Sequence, residues 1–204
     1  MMNKFFKTFM AAAGLSLVFA LPAQSAVISW TTDVPAADTG VPSPTNAVGT
    51  VYENLTASVP NEYRSPWQGT ALDGIGTYTS VQKDSYASYA FDMGYYAVDF
   101  MWGSVDGYNG LEFYYQGNWV DALHGDDAQL SSVSNGLGFI VASIMATGVF
   151  DEIRFTSDSN AFEYANLTVS AVPLPAALPL YGAGLAVLGF FGWRKRRKSA
   201  ALTA

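Results

Sequence analysis

The chain has no cysteine and only one histidine, His124, among its 204 residues. Without cysteine there are no disulfides, no thiolate nucleophile and no cysteine-based zinc site, so the fold depends on its core alone. A nucleophilic triad needs a histidine base in most of its forms. Because His124 lies in the loop-like stretch ALHGDDA, we interpret it as a solvated loop residue. The sequence therefore predicts no catalytic residue and no enzyme.

Basic residues are scarce in the middle of the chain. Residues 26 to 171 contain three of them, Arg64, Lys83 and Arg154, against all 17 acidic residues, which gives this part a net charge of −14. Such a surface repels phosphate backbones and anionic lipids, which excludes nucleic acid as a partner. Multivalent cations and neutral polymers remain compatible with it.

Amphipathic helical patterns are missing as well. Residues 34 to 60 are rich in proline and predict a loop with one short strand at TVYENLTA. Beyond them the apolar period is two, which indicates strands. The residues expected on one face are Tyr96, Val98, Phe100 and Trp102 in one stretch and Leu111, Phe113 and Tyr115 in the next.

Glycine and asparagine separate these apolar runs. The stretches MG, GSVDGYNG, QGN and SNG predict hairpin turns, because glycine and asparagine tolerate the positive φ that such turns require. LGFIVASIMA is apolar on both faces and fits a central strand, although a buried helix has the same composition. We therefore predict an all-β fold, an antiparallel β-sandwich that is jelly-roll-like.

The N-terminus has the features of a secretory signal peptide. Lys4 and Lys7 precede an apolar run from Thr8 to Leu21, and Ala23-Gln24-Ser25 fits the cleavage rule of small residues. We predict export by the Sec translocon and cleavage by signal peptidase after Ser25 or one residue later. An uncleaved N-terminal anchor is the alternative. The predicted regions are a signal peptide at 1–25, a proline-rich segment at 26–60, a β-sandwich ectodomain at 61–171 and a sorting region at 172–200.

The C-terminal region has 20 uncharged residues, from Leu174 to Trp193, before five consecutive basic residues. Twenty residues suffice to span a bilayer as a single hydrophobic helix. Pro175 and Pro179 shorten the regular helix, and four glycines weaken it. The basic cluster stays cytoplasmic by the positive-inside rule. We expect a transient membrane intermediate, and a retained anchor is the alternative.

The same region resembles the PEP-CTERM class of sorting signals in its VPLPA form. The matching residues are Val172, Pro173, Leu174, Pro175 and Ala176, followed by Arg194, Lys195, Arg196, Arg197 and Lys198. The stretches YRSPWQGT, YTSV, WGSVDGYN, LEFYYQG and SNAFEYANL are similar to the ectodomain of exosortase-dependent surface proteins. The resemblance implies processing by an exosortase in a Gram-negative bacterium that makes exopolysaccharide. It implies little about a molecular activity.

Ligand-binding residues are predicted from local context. Tyr108 and Trp119 stand in turn-like settings beside glycine, asparagine and aspartate, which favours a saccharide-contacting surface. Ca²⁺ takes oxygen ligands, which two pairs of acidic residues could supply, either Asp126 with Asp127 or Asp158 with Glu163. We expect no other cofactor.

Three classes of function stay open at this point. The first, which we favour, is a non-catalytic protein of the cell envelope or the exopolysaccharide matrix. The second is a carbohydrate-binding module of that matrix. The third is a secreted glycoside hydrolase, which would need a cleft with two suitable carboxyl groups.

Overall fold

The structure is a computed structural model that describes residues 26–133 and 138–171. The predicted signal peptide and the predicted sorting region, from Val172 onward, lie outside the described residues. So does the whole of the predicted SNG turn. No helix within the described ranges is long and apolar enough to cross a membrane.

The described residues form an all-β fold in which every strand pairing is antiparallel. The strands are β1 (Val27–Thr31), β2 (Asn46–Val48), β3 (Val51–Leu55), β4 (Tyr78–Val81), β5 (Ser85–Trp102), β6 (Asn109–Tyr115), β7 (Asn118–His124), β8 (Ile140–Ser157) and β9 (Phe162–Ser170), with a 3₁₀ turn at Ala128–Leu130. They join one sheet in the order β3-β4-β9-β5-β8-β6-β7, with β1 paired to β8 and β2 paired to β5. The prediction of an all-β antiparallel fold is confirmed.

The two longest strands, β5 and β8, pair with each other and take different neighbours in their two halves. The first half of β5 and the second half of β8 lie with β2, β6 and β7, and we call this the first arm of the sheet. The second half of β5 and the first half of β8 lie with β1, β9, β4 and β3, which form the second arm. Seven residues of LGFIVASIMA, 140 to 146, begin β8, so this part of the stretch is a strand and not a helix.

A bend joins the two arms. Between the pairs Ala90–Glu152 and Tyr95–Phe150, β5 has four unpaired residues and β8 has one. Between Tyr95–Phe150 and the next pair, Ala97–Met145, β5 has one unpaired residue and β8 has four. Such bulges bend a strand and increase its twist. A Cβ atom at Gly94 would overlap the side chain of Val149, so the two strands approach closely here. Met93-Gly94 was predicted as a hairpin turn, and that prediction is wrong, because the chain continues through it within β5.

The bend folds the sheet over on itself. Tyr89 and Trp102 lie 13 residues apart in β5, which is about 43 Å in a straight strand. Yet the hydroxyl of Tyr89 lies 2.9 Å from the hydroxyl of Tyr164, which pairs with Trp102. The inner faces of the two arms therefore meet. Between them lie the rings of Tyr89, Phe100, Trp102, Phe113, Phe150, Phe155, Phe162 and Tyr164.

The predicted alternation agrees with the buried faces. Val98, Phe100 and Trp102 are buried, and so are Leu111 and Phe113, whereas Tyr96 and Tyr115 lie exposed where the strands reach the bend. The predicted QGN turn is confirmed, since Gln116 and Gly117 both have positive φ, 50° and 76°, between the paired residues Tyr115 and Asn118. The expected short strand in TVYENLTA is β3.

The outer face of the second arm is also covered. Trp67, in the long segment between β3 and β4, packs against Tyr78, Met101 and Ala165, and its indole N–H donates to the Thr77 carbonyl at 3.0 Å. Residues of β9 are therefore buried on both sides, which alternation along the strand does not reveal. This covering segment forms one wall of the cleft described below.

The folded-over sheet depends on Phe155, which is fully buried and contacts the ring of Tyr89 in the first arm and a ring of the second arm, that of Tyr164. We expect Phe155→Ala to lower the free energy of unfolding of residues 26–171 by about 3–5 kcal/mol, because it removes a large core side chain and leaves a cavity. Urea denaturation followed by far-ultraviolet circular dichroism measures this. Trp119→Ala, at a side chain that is 62% exposed, is the control and should change stability by about 0.5 kcal/mol or less. Equal losses in both variants would contradict the assigned core.

Candidate functional site

A cleft of about 430 Å³ lies at the end of the two arms opposite the bend, and we call this the cleft end. Its walls come from the segment after β3, from the β5–β6 loop and from the start of β9. The residues that line it are Ser58, Val59, Pro60, Asn61, Glu62, Tyr63, Arg64, Gln68, Ser104, Tyr108, Asn160, Ala161 and Glu163. A second depression of about 340 Å³ shares Glu62 and Asn160 with it and also includes Tyr52 and Lys83. Together they form an open, elongated groove.

Glu163 joins the walls of the cleft. Its carboxylate accepts a hydrogen bond from the backbone N–H of Arg64 at 2.8 Å and one from the Ser104 hydroxyl at 3.4 Å. Its own carbonyl accepts from the backbone N–H of Gly103 at 2.8 Å. Three segments far apart in the sequence are therefore held at one residue of β9. Both carboxyl oxygens are already engaged by the chain, which fits a structural role in the wall of the cleft.

Glu163 is 2% exposed, and burial raises the pKa of its carboxyl group from the usual 4.5 to about 7. The hydrogen bonds from Arg64 and Ser104 and the positive charge of Arg64 oppose this rise in pKa. The side chain therefore gains and loses its proton near neutral pH. The guanidinium Nη2 of Arg64 is buried and has no hydrogen-bond partner among the described residues.

Tyr108, one of the two predicted saccharide-contacting residues, lines the cleft. Its hydroxyl lies 2.9 Å from a carboxylate oxygen of Asp106 and 3.1 Å from the Asn160 carbonyl, and it donates to these acceptors. Burial, and then the hydrogen bond to Asp106, raise the pKa of Tyr108. Its ring is thus fixed in the wall, which makes it a rigid surface for a ligand.

Trp119, the other predicted residue, lies elsewhere. It is in β7, paired with Tyr114, and 62% exposed near the bend. The structure therefore does not bring Tyr108 and Trp119 together. Tyr63, which sequence reasoning did not select, lies in the cleft and packs against Tyr52 and Tyr78 at ring distances of 5.3 and 6.4 Å.

The carboxylates considered for Ca²⁺ have different surroundings. Asp127 accepts a hydrogen bond from the backbone N–H of His124 at the end of β7, and Asp158 is exposed while Glu163 is buried. Within residues 26–133 and 138–171, no three histidine or acidic side chains come together as metal ligands would.

The charge at the cleft is balanced, although the domain as a whole is acidic. Arg64 and Lys83 line the groove together with Glu62 and Glu163. The third basic residue, Arg154, is engaged away from the groove, with an ion pair to Glu152 at 2.7 Å and its guanidinium 4.0 Å above the ring of Tyr114. The groove thus offers amide, hydroxyl and charged groups of both signs beside tyrosine rings, which suits a neutral ligand with many hydroxyl groups.

Comparisons with known proteins do not assign the chain to a family. No protein-family model matches it, and no curated protein matches it. Among solved structures it is similar to one described as the crystal structure of the Agl-KA catalytic domain, with a TM-score of 0.36 and 17% sequence identity. That match covers 69% of this chain and 30% of the other. A likeness at this level carries neither a fold assignment nor a residue's role to this chain.

The raised pKa of Glu163 makes stability depend on pH. Between about pH 4.5 and 7 the folded state keeps a proton that the unfolded state has lost, so stability falls as pH rises through this window. The fall attributable to Glu163 is at most about 3.4 kcal/mol. We expect Glu163→Gln to remove this part of the slope, as measured by urea unfolding of residues 26–171 from pH 5 to pH 8.

Glu62→Gln is the matched control, because Glu62 lines the same cleft and is exposed. It should keep the slope of the unsubstituted protein. The assignment fails if unsubstituted protein and Glu163→Gln lose the same amount of stability between pH 5 and pH 8.

Proposed function

We propose that the chain is an exported, non-catalytic protein of the cell surface or the exopolysaccharide matrix. The observation that carries the proposal is the order of sequence features at the C-terminus. The last strand, β9, ends at Ser170, and VPLPA begins two residues later. The uncharged run and the five basic residues follow it. A predicted signal peptide at the other end supplies the route, through the Sec translocon and signal peptidase.

In this proposal the C-terminal region is an address that is used and then removed or exchanged. The uncharged run of 20 residues contains two prolines and four glycines, which make it a marginal permanent anchor. The basic cluster stays cytoplasmic and holds one orientation, so that VPLPA meets a membrane-embedded exosortase at the periplasmic face of the inner membrane. The protein would then pass from an inner-membrane intermediate to the envelope or matrix of a Gram-negative bacterium.

We also propose that the folded-over sheet belongs to the β-sandwich class, with the jelly-roll-like arrangement expected from the sequence. Two arms whose inner faces bury a shared layer of aromatic rings support this. In such folds the loops at one end carry the residues that bind ligands, and the cleft is formed by loops of that kind.

The sorting proposal is tested by inserting an epitope tag at Ser43, which is exposed ahead of β2. The mass and location of the tagged protein are compared in cells with and without their exosortase. We expect the mature protein of normal cells to lack Leu178 to Trp193 and to leave the inner membrane. In cells without the enzyme it should keep these residues and remain there.

A variant with Pro173→Ala and Pro175→Ala should behave in normal cells as the unsubstituted protein does without exosortase. A tagged protein that keeps Leu178 to Trp193 and stays in the inner membrane of both strains would identify the tail as an anchor only.

A second candidate function, carbohydrate binding, is favoured by the groove at the cleft end. It is elongated, it has balanced charge, and it contains the fixed ring of Tyr108 beside the amide groups of Gln68 and Asn160. Sugars stack on aromatic rings and use their hydroxyl groups as donors and acceptors, so these side chains suit a neutral polysaccharide. An acidic domain can also remain soluble within a hydrated polymer.

We expect the purified domain to bind neutral oligosaccharides on a glycan array without cleaving them. Tyr108→Ala should weaken that binding about tenfold or more, equivalent to about 1.4 kcal/mol. Trp119→Ala, at the opposite end of the molecule, should leave it unchanged. Release of shorter sugars would instead favour the hydrolase, and loss of binding in Trp119→Ala alone would move the site away from the cleft.

A further inference from the structure

Exposed apolar side chains are concentrated at the bend end of the domain, opposite the cleft. Eleven large apolar residues are exposed in the part of the chain that the structure describes, and six of them belong to this end. The six are Val27 (59% exposed), Met93 (53%), Tyr96 (38%), Tyr115 (38%), Trp119 (62%) and Met145 (53%), and we call them the apolar rim.

Strand pairing places three members of the rim. Val27 pairs with Met145, and Met145 pairs with Ala97, the residue after Tyr96. These residues occupy the last paired row of the second arm before the bend, so Val27, Tyr96 and Met145 belong to one end of the molecule.

Close contacts place the other three. Met93 lies within the bend itself, and a Cβ atom at the adjacent Gly94 would lie 3.7 Å from the ring of Tyr115. Asp121, two residues after Trp119, accepts a hydrogen bond from the backbone N–H of Thr147 in the bend. The rim therefore extends across the ends of both arms.

Both ends of the described domain leave at the same place. β1 begins at Val27, and β9 ends at Ser170, which pairs with Ala97 in the row that contains Val27 and Met145. Only three residues separate Ser170 from the uncharged run that begins at Leu174. At about 3.3 Å per residue, Ser170, in the row that contains Val27 and Met145, can lie no more than about 13 Å from Leu174.

We propose that the apolar rim rests on the surface of the bilayer into which the uncharged run of the same chain inserts. This inference relies on the membrane intermediate of the proposed function. Tryptophan and tyrosine favour the boundary between headgroups and acyl chains, where the ring is apolar and its polar atom stays hydrated. A tether of three residues keeps the rim at that boundary, so even weak contacts are made repeatedly.

Charge determines which lipid surface fits. Among the described residues no lysine or arginine lies in the bend, whereas Asp92 and Asp151 do. Asp92 is exposed, and Asp151 accepts the backbone N–H of Gln116 at 3.0 Å through both oxygens. Anionic headgroups would repel this end, so contact has to come from the apolar side chains on zwitterionic headgroups.

The proposal fixes the direction of the cleft. Glu163 lies seven residues before Ser170 in β9, which corresponds to about 23 Å along a strand. With the rim on the membrane, the cleft end faces away from it. The groove is then open to polymers in the periplasm while the chain is still an intermediate.

The absence of cysteine makes a site-specific test direct, because one introduced cysteine is the only thiol in the chain. The chain is produced in cells without an exosortase, purified and reconstituted in phosphatidylcholine vesicles. Single nitroxide labels are attached to Met93→Cys and Trp119→Cys in the rim. Lys83→Cys, exposed beside the cleft, is the control in water, and Ala186→Cys reports insertion of the uncharged run.

Collision rates with oxygen and with a water-soluble nickel complex give the depth of each label. We expect the labels at 93 and 119 within about 5–10 Å of the headgroup boundary, the label at 83 in water and the label at 186 in hydrocarbon. Phosphatidylglycerol vesicles should move the two rim labels toward water without moving the label at 186.

Other outcomes separate the two proposals. Rim labels as accessible as the label at 83, with the label at 186 still in hydrocarbon, would overturn the docking and leave the membrane intermediate intact. A label at 186 in water would overturn both. Dipolar broadening between rim labels of different molecules, combined with accessibility to water, would show that a second copy covers the rim and would also overturn the proposal.

Discussion

The stacking of Phe155 on Tyr164, with ring centroids 3.9 Å apart and planes within 10°, is the contact on which the rest of the structure depends. Phe155 belongs to the first arm of the sheet and Tyr164 to the second. Tyr164 is fully buried, and its hydroxyl would be costly to bury alone, but it shares a hydrogen bond with Tyr89 from the opposite arm. Tyr164 therefore packs its ring on Phe155 and has its hydroxyl paired with Tyr89, both across the two arms. Loss of this stack would remove one of the main contacts between the inner faces of the two arms.

This dependence is greater because the chain has few other means of stabilisation. There is no disulfide, and residues 26–171 carry a net charge of −14, whose mutual repulsion favours expansion. Burial of aromatic surface must exceed both the conformational entropy and this repulsion. Rings are suited to the task, since each buries a large area for the loss of only two side-chain torsions. The core thus accounts for much of the aromatic content, while Trp30, Tyr52, Tyr96, Tyr115 and Trp119 remain exposed at the surface.

Local sequence patterns predicted the strands well and the folding of the sheet poorly. Alternation identified Val98, Phe100 and Leu111 as inward residues because the period of a strand is local. The Met93-Gly94 pair has the composition of a turn, but a turn and a bulge use the same residues. They differ in whether the following strand pairs with the preceding one, and here both halves of β5 pair with β8 instead. No neighbouring residue carries that information.

The cleft shows the same limit in its chemistry. Tyr108 was predicted as a ligand-contacting residue from its setting in a loop, and it lines the cleft, whereas Trp119 has a similar setting and lies at the opposite end. Whether either residue binds a sugar stays a prediction. Glu163 and Arg64 are in contact although they lie 99 positions apart in the sequence. Their contact therefore follows from the path of the folded chain and not from a local sequence spacing.

The direction of β9 has a mechanical consequence. Its last residue leads toward the C-terminus, and its first residues carry one wall of the cleft. A polymer held in the cleft and a chain held at its C-terminal end would pull on β9 along its own axis. Its hydrogen bonds to β4 and β5 would then be loaded together, in shear, and would not break one after another as in peeling. A domain strained between a surface and a moving matrix would resist unfolding best in this geometry.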